Sequence, residues 1–218
     1  MLRNIDLQKV SDGKLYGIND MVKADCGGCE GCSACCQGMG CSIVLDPLDV
    51  HRISCGLQKS VEQLLSDSLE LNVVDGIILP NLRMSGPKEV CHFLNADGRC
   101  SIHSVRPGIC RIFPLGRFYE NGTFQYFLQI HECPKPNKTK VKIRKWIDTE
   151  DSKRYEKYIC DWHYYVKRLQ EYAMKCEDND KLKSLSMHIL QHFYLLPFDR
   201  EQNFYGQFYD RLEKSKNT

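Results

Sequence analysis

Residues 25–37 read DCGGCEGCSACCQ, which places Cys26, Cys29, Cys32, Cys35 and Cys36 within eleven residues. Hydrophobic packing does not account for this run. A free cysteine usually behaves as a small buried hydrophobe, but here cysteines alternate with Gly, Glu and Ser, which build no core. Thiols this close serve as disulfides or as metal ligands. The small residues between them favour metal, because they let the backbone wrap closely round an ion or a cluster.

The rest of the chain narrows the choice. Its 218 residues have room for one domain with an appended helical piece. The reading divides them into a cysteine-cluster part, residues 1–148, and a helical extension, residues 149–218. Hydrophobic content of 42% and charged content of 27% are ordinary for a globular protein. A net charge of +2 gives no reason to expect a nucleic-acid or membrane-surface partner. Residues 1–10 have no apolar core of a secretory signal, and no run approaches the roughly 20 apolar residues of a membrane helix. The expected compartment is therefore cytoplasmic, where thiols stay reduced and dense cysteines read as metal-binding or catalytic. Of 13 cysteines, eleven fall between Cys26 and Cys133, an odd and uneven distribution for a disulfide scaffold.

Beyond the cysteine loop, Asp46-Pro47 signals the start of a helix carrying Val50 and Ile53. Ser60 with Gln63 forms a capping box for a second helix through Leu64, Leu65 and Leu69. Asp75-Gly76 marks a hairpin within Val73–Leu79. Two further hairpins are expected: Val90–Leu94 with Cys100–His103 across Asn95–Gly98, and Gly116–Glu120 with Thr123–Leu128 across Asn121-Gly122. Lys135 to Lys145, with five Lys and one Arg, reads as a solvated connection. From Thr149 onward the period changes. Tyr155, Tyr158, Ile159, Trp162, Tyr165, Val166, Leu169, Tyr172 and Ala173 mark a long amphipathic helix. Leu182, Leu185, Ile189 and Phe193 mark a second, and Phe204, Phe208 and Leu212 a third.

Two registers run through the first cysteine cluster. Cys26-x2-Cys29-x2-Cys32-x3-Cys36 has the spacing of a bacterial ferredoxin run, although Gln37 replaces its proline. Cys29-x2-Cys32-x2-Cys35-Cys36 is the other, and its neighbouring Cys35 and Cys36 can point to different sites. A second set, Cys91, Cys100, Cys110 and Cys133, is spaced by 9, 10 and 23 residues. The expected hairpin puts Cys91 and Cys100 on facing strands, with Cys110 on the turn Arg106–Arg111. Arg106 and Arg111 would either offset the charge of a thiolate-rich centre or serve as ordinary hydrogen-bonding loop residues.

The CxxCxxCC run of Cys29–Cys36, the Cys91-His92-Phe93-Leu94 segment, Gly98-Arg99-Cys100-Ser101-Ile102-His103 and Arg106-Pro107-Gly108-Ile109-Cys110-Arg111-Ile112-Phe113-Pro114 together resemble the YkgJ family of cysteine-cluster proteins. The resemblance covers residues 25–135. It implies a zinc- or iron-chelating domain with eight characteristic cysteines, here Cys29, Cys32, Cys35, Cys36, Cys91, Cys100, Cys110 and Cys133. Cys26 and Cys41 are additional to these eight. The same family includes domains similar to flagellin lysine N-methylase, so the resemblance speaks for metal binding more than for any reaction.

Zinc prefers four ligands, commonly two separated C-x2-C knuckles. The first set is too crowded for that pattern and the second has no knuckle. Iron–sulfur clusters accept a tight run plus distant cysteines, so a 4Fe-4S centre is the favoured cofactor and zinc the alternative. The expected ligands are Cys26, Cys29, Cys32, Cys35, Cys36, Cys91, Cys100, Cys110 and Cys133. His92, His103 and His131 lie near these cysteines but are surplus to them. His163 beside Trp162 reads as helix packing, and His188 with His192 lacks the glutamate of a zincin helix. Cys55, Cys160 and Cys176 read as core or partly buried thiols on helices. Phosphate-binding loops, dinucleotide fingerprints and nucleophile elbows do not occur, and neither does the C-x3-C-x2-C spacing, since position 39 is Met.

The expected fold is α+β, with a cysteine-rich loop and short β-hairpins round a metal and C-terminal helices covering them. The expected function is an iron–sulfur protein in redox or electron-transfer work with a partner the sequence does not name. A zinc-stabilised binding module is the competing class, and a protein-modifying enzyme resembling flagellin lysine N-methylase a third. No oligomeric state is legible.

Overall fold

The structure is a computed structural model that describes residues 6–28 and 32–216. A short helix α1 (Leu7–Val10) precedes strand β1 (Met21–Asp25), and one 3-10 turn spans Ala34–Cys36. Helices α2 (Pro47–Leu57) and α3 (Val61–Asp67) lead to strands β2 (Leu69–Val74), β3 (Ile77–Leu82), β4 (Met84–Ser85) and β5 (Val90–Cys91). A second 3-10 turn, His103–Val105, enters helix α4 (Gly108–Ile112). Strands β6 (Leu115–Glu120), β7 (Thr123–Leu128) and β8 (Thr139–Lys142) follow, then helices α5 (Ile143–Ile147) and α6 (Ser152–Ala173). The chain closes with α7 (Asn179–Leu190), a π turn at Gln191–Leu195, and α8 (Phe204–Lys216). The strands form antiparallel pairs, β1 with β8, β2 with β3, β4 with β5 and β6 with β7. This is the α+β architecture expected. Among the described residues no helix is long and apolar enough to cross a membrane.

Local chemistry explains the element boundaries. The Asp46 carboxylate accepts from the Asp49 N–H, and the Asp49 carboxylate accepts in return from the Asp46 N–H, with Pro47 in the first turn of α2. Ser60 and Gln63 exchange the same pair of bonds at the start of α3. The β2–β3 and β6–β7 hairpins turn on Asp75-Gly76 (φ 49° and 89°) and Asn121-Gly122 (φ 50° and 78°). Both pairs take the left-handed conformations that a two-residue hairpin requires.

Helix α6 buries Tyr155, Tyr158, Ile159, Trp162, Tyr165, Val166 and Ala173, following the sequence periodicity. Trp162 packs 5.0 Å from Phe193 of the π turn, and Phe208 of α8 lies 4.6 Å from Tyr158. Buried rings of this kind cost about 3–5 kcal/mol each to delete, so they outweigh exposed ion pairs such as Lys157–Asp161, worth roughly 0–1 kcal/mol. Hydrogen bonds from Tyr158, Tyr194 and Gln170 help tie the C-terminal helices to the first half of the chain. The Tyr158 hydroxyl donates to Asp46 at 2.9 Å and accepts from the Leu48 N–H at 3.0 Å. The Tyr194 hydroxyl donates to the Leu45 carbonyl, and Gln170 donates to the Val74 carbonyl.

Several sequence expectations are corrected. Val90–Leu94 and Cys100–His103 do not form a hairpin with each other. Strand β5 pairs with β4 instead, in the register Met84↔Cys91 and Ser85↔Val90, and His92 donates its N–H to the Arg83 carbonyl. Across the turn only the bridge Leu94↔Cys100 remains, because the Asn95 side chain accepts from the Asp97 and Arg99 N–H groups and curls the chain into a closed loop. Cys110 lies on α4 rather than on a turn. The basic stretch is more than a connection, since β8 pairs Val141 with Val22 and α5 buries Ile143 and Ile147 while the lysines face outward. Cys176 falls beyond the end of α6. His163 stacks on Tyr119 of β6 with ring centroids 3.5 Å apart, so it packs against the hairpin rather than within the helical layer.

Two tests address this framework. A Cβ on Gly108 would collide with the Tyr155 hydroxyl, and the Gly108 N–H is held by Asp49 at 2.7 Å. Gly108→Ala should therefore destabilise the protein by about 1–3 kcal/mol in urea unfolding. Gly206→Ala on α8, where nothing lies within 4 Å, should stabilise it by roughly 0.5–1 kcal/mol. Burial, with Lys167 and Arg117 nearby, pushes His163 down to about 4. Between that value and the ordinary histidine range of about 6.5 the unfolded chain binds a proton that the folded chain refuses. Stability should fall as pH drops through this window, and His163→Phe should flatten that part of the profile in thermal melts.

Candidate metal centre

Each cysteine of the centre reaches its place through a specific backbone device. The 3-10 turn carries Cys35 and Cys36 side by side. The chain then reverses through Gly38, at φ 69°, whose N–H donates to the carbonyls of Lys88 and Glu89. A side chain at that left-handed position would be strained, so glycine lets the cysteine loop lie against the β4–β5 turn. The loop is anchored again where Leu45 donates to Pro80 and Leu82 donates to Ile43, adding a short edge to β3. Strand β5 brings in Cys91, the Leu94↔Cys100 bridge brings in Cys100, and α4 brings in Cys110. Asp49, capping α2 and binding the Gly108 N–H, links the placement of Cys110 to the helix that follows the cysteine loop.

These devices converge. Cys32, Cys35, Cys36, Cys91, Cys100 and Cys110 all line one cavity of about 840 Å³. Cys35 and Cys36, which neighbouring positions could have sent to separate sites, face the same space. Cys133 and Cys26 do not line it, although Glu132 and Gly28 beside them do. Cys29 lies outside the described residues. Cys41 is exposed and away from the lining, and the partly buried Cys55, Cys160 and Cys176 also lie away from it. Among the described residues no group of three or more His, Cys, Asp or Glu stands as a ready metal cluster; the thiols ring a shared space.

The electrostatics of that space are those of crowded thiols. Hydrogen bonding from Cys36, helped by the Arg106 cation, brings Cys35 down to about 6, while Cys36 is pushed up in consequence. Burial raises Cys91, Cys100 and Cys110, and the charges of neighbouring thiolates add to the rise in each. Cys36, Cys91, Cys100 and Cys110 thus resist ionisation beside Cys35, which ionises readily. Soft cations relieve this conflict, because they neutralise several thiolates at once and displace their protons. The donor set therefore fits a zinc ion or an iron–sulfur cluster.

The two arginines separate into the two roles open to them. Arg106 lines the cavity, acts electrostatically on Cys35 and Cys100, and has a buried Nε with no hydrogen-bond partner. Arg111 points away, donating to the carbonyls of Asp148 and Ser104, and is a structural tie between α4 and the end of α5. Of the three nearby histidines only His103 lines the cavity. The sequence reading missed Arg117, Tyr119, His163 and Lys167, which line the same cavity from β6 and α6. No spacing signal joins them to the cysteines, since they meet only through the packing of α6 on the β6–β7 hairpin.

Comparison with known proteins places this arrangement. No curated protein and no solved structure matches the chain. The model of the CxxCxxCC family, described as a "putative zinc- or iron-chelating domain", matches residues 28–147, more than half of the sequence and the part that carries all six cavity thiols. The chain belongs to this family of zinc- or iron-chelating domains.

Proposed function

We propose that this protein holds an iron–sulfur centre in the cysteine-lined cavity and uses it in redox or electron-transfer work. The observation that carries the reading is the convergence of six thiols from four separate segments on one space. Cys32, Cys35, Cys36, Cys91, Cys100 and Cys110 would supply the ligands, with Cys26, Cys29 and Cys133 available from the flanking segments. The number of thiols exceeds what one tetrahedral zinc uses, whereas a cluster tolerates a tight run plus scattered cysteines. When bound, such a cluster supplies one-electron transfer. Arg106 would lower the charge cost of the thiolate set, and the buried Phe93, Ile102 and Leu82 would keep water from its sulfurs. Zinc is the second reading, named beside iron in the family description, and would make the centre a purely structural clamp.

Anaerobically purified protein should be brown and contain iron with acid-labile sulfide; colourless protein with stoichiometric zinc would overturn the redox reading. Chelation should lower the melting temperature, since metal binding is folding free energy in such sites. Cys110→Ser should reduce metal affinity by at least the roughly 10–100-fold that loss of an outer partner produces. Cys176→Ser, beyond the end of α6 and away from the cavity, should leave metal content unchanged. Full metal content in Cys110→Ser would remove Cys110 from the ligand set.

A further inference from the structure

The cavity does not end at the thiols. Its far wall is made by β6 and α6, which contribute Arg117, Phe118, Tyr119, His163 and Lys167 and no cysteine. Among the described lining residues four cations, Arg99, Arg106, Arg117 and Lys167, face a single carboxylate, Glu132. Arg117 is the most telling. Its guanidinium donates to the Tyr155 hydroxyl at 3.0 Å and lies 5.6 Å and 5.7 Å from the rings of Phe124 and Tyr155. Its Nε is buried with no hydrogen-bond partner. Asp46 and Glu156 act on it electrostatically, but no ion pair forms between Arg117 and a carboxylate among the described residues. The Tyr119 hydroxyl also bonds to it, but rings and phenols satisfy a guanidinium only in part, and among the described residues no carboxylate is in direct contact with it.

Burial holds the His163 ring neutral at this wall, and the nearby Lys167 and Arg117 add to the effect. The Lys167 side chain is 38% exposed and its one ion-pair partner among the described residues, Glu171, stands at 4.0 Å, so it remains available to a ligand on the solvent side. Phe113, Phe118 and Ile109 add apolar lining to the same cavity. A volume of about 840 Å³ falls in the range of roughly 300–1,000 Å³ typical of small-molecule sites.

We propose that the β6–α6 end of the cavity binds a small organic anion with an apolar body, its carboxylate or phosphate taken by Arg117 and Lys167. The site goes beyond the metal reading and stands on different residues. Charge-assisted bonds of this type favour an anion over a neutral isostere by about tenfold or more.

The test measures binding of naphthylacetate, naphthyl phosphate and neutral naphthylethanol to the full-length protein, with the metal content of each sample determined alongside. Both anions should bind about tenfold more tightly than naphthylethanol at low salt, and the preference should narrow as salt rises. The tighter of the two anions identifies the head group. Arg117→Gln and Lys167→Gln should each cut the preference several-fold. If Arg117→Gln does not fold, Lys167→Gln at the partly exposed position decides. Equal binding of charged and neutral probes, no binding of any probe, or an undiminished preference in Lys167→Gln would overturn the site. Metal-free protein that still prefers anions would count against the proposed function alone, whereas metal-loaded protein without the preference would count against this site alone.

Discussion

Thiols withdrawn from water and placed next to one another oppose their own ionisation, and the cysteine half of this protein is arranged around that opposition. Burial alone raises Cys91, Cys100 and Cys110, and each neighbouring thiolate raises them further. Hydrophobic packing would never select such a set, because a buried apolar side chain of similar size carries no such penalty. The arrangement makes physical sense when a cation takes up the charge, which turns mutual repulsion into shared ligation. Everything that brings the cysteines together therefore works against an electrostatic gradient and must be held by something else.

What holds it is the remainder of the fold. The cysteine loop has little apolar content and is fixed by backbone bonds, Gly38 to the β4–β5 turn and residues 43–45 to β3. Those strands and α2 lean in turn on the aromatic layer of α6, the π turn and α8, through Tyr158 at Asp46 and Tyr194 at Leu45. The hydrophobic core is continuous from Val22 to Leu212. The C-terminal helices thus do more than cover the cysteine-rich part, since the residues that orient α2 and, through Asp49, the helix bearing Cys110 are their own tyrosines.

Sequence legibility followed the range of the interactions. The helix start at Asp46-Pro47, the capping box at Ser60, the Asp75-Gly76 and Asn121-Gly122 turns and the stripe of α6 were all readable, because each depends on residues a few positions apart. The partner of Cys91 was not. A tight Asn95–Gly98 turn between two short apolar segments looks like a hairpin, but Asn95 closes its own loop and the β5 edge is taken by Met84 and Ser85. The pairing of β8 with β1 was equally hidden, since a lysine-rich surface strand shows only Val141 and Ile143 to betray its inner face. For the centre itself, the cysteines announced a metal but could not show that Cys35 and Cys36 face one cavity, nor that Arg106 turns toward it and Arg111 away. Those outcomes depend on long-range packing, which no local pattern encodes.

Arg106 marks where the two halves of the cavity meet. It acts on Cys35 and Cys100, and the same lining includes Arg117 and Lys167, with Glu132 the one described carboxylate among them. A thiolate centre and a row of cations in one low-dielectric space polarise each other more strongly than they would in water. The state of the thiol end therefore sets part of the potential at the β6–α6 end. A centre that carried more negative charge would offset more of the arginine field and weaken the hold on an anion seated there. Linkage makes the effect mutual, so an anion seated at Arg117 would disfavour added negative charge at the sulfurs by the same free energy. The positive wall is then more than ballast for a crowded thiol set: it is the element through which occupancy of the cavity and the charge of the centre would act on each other.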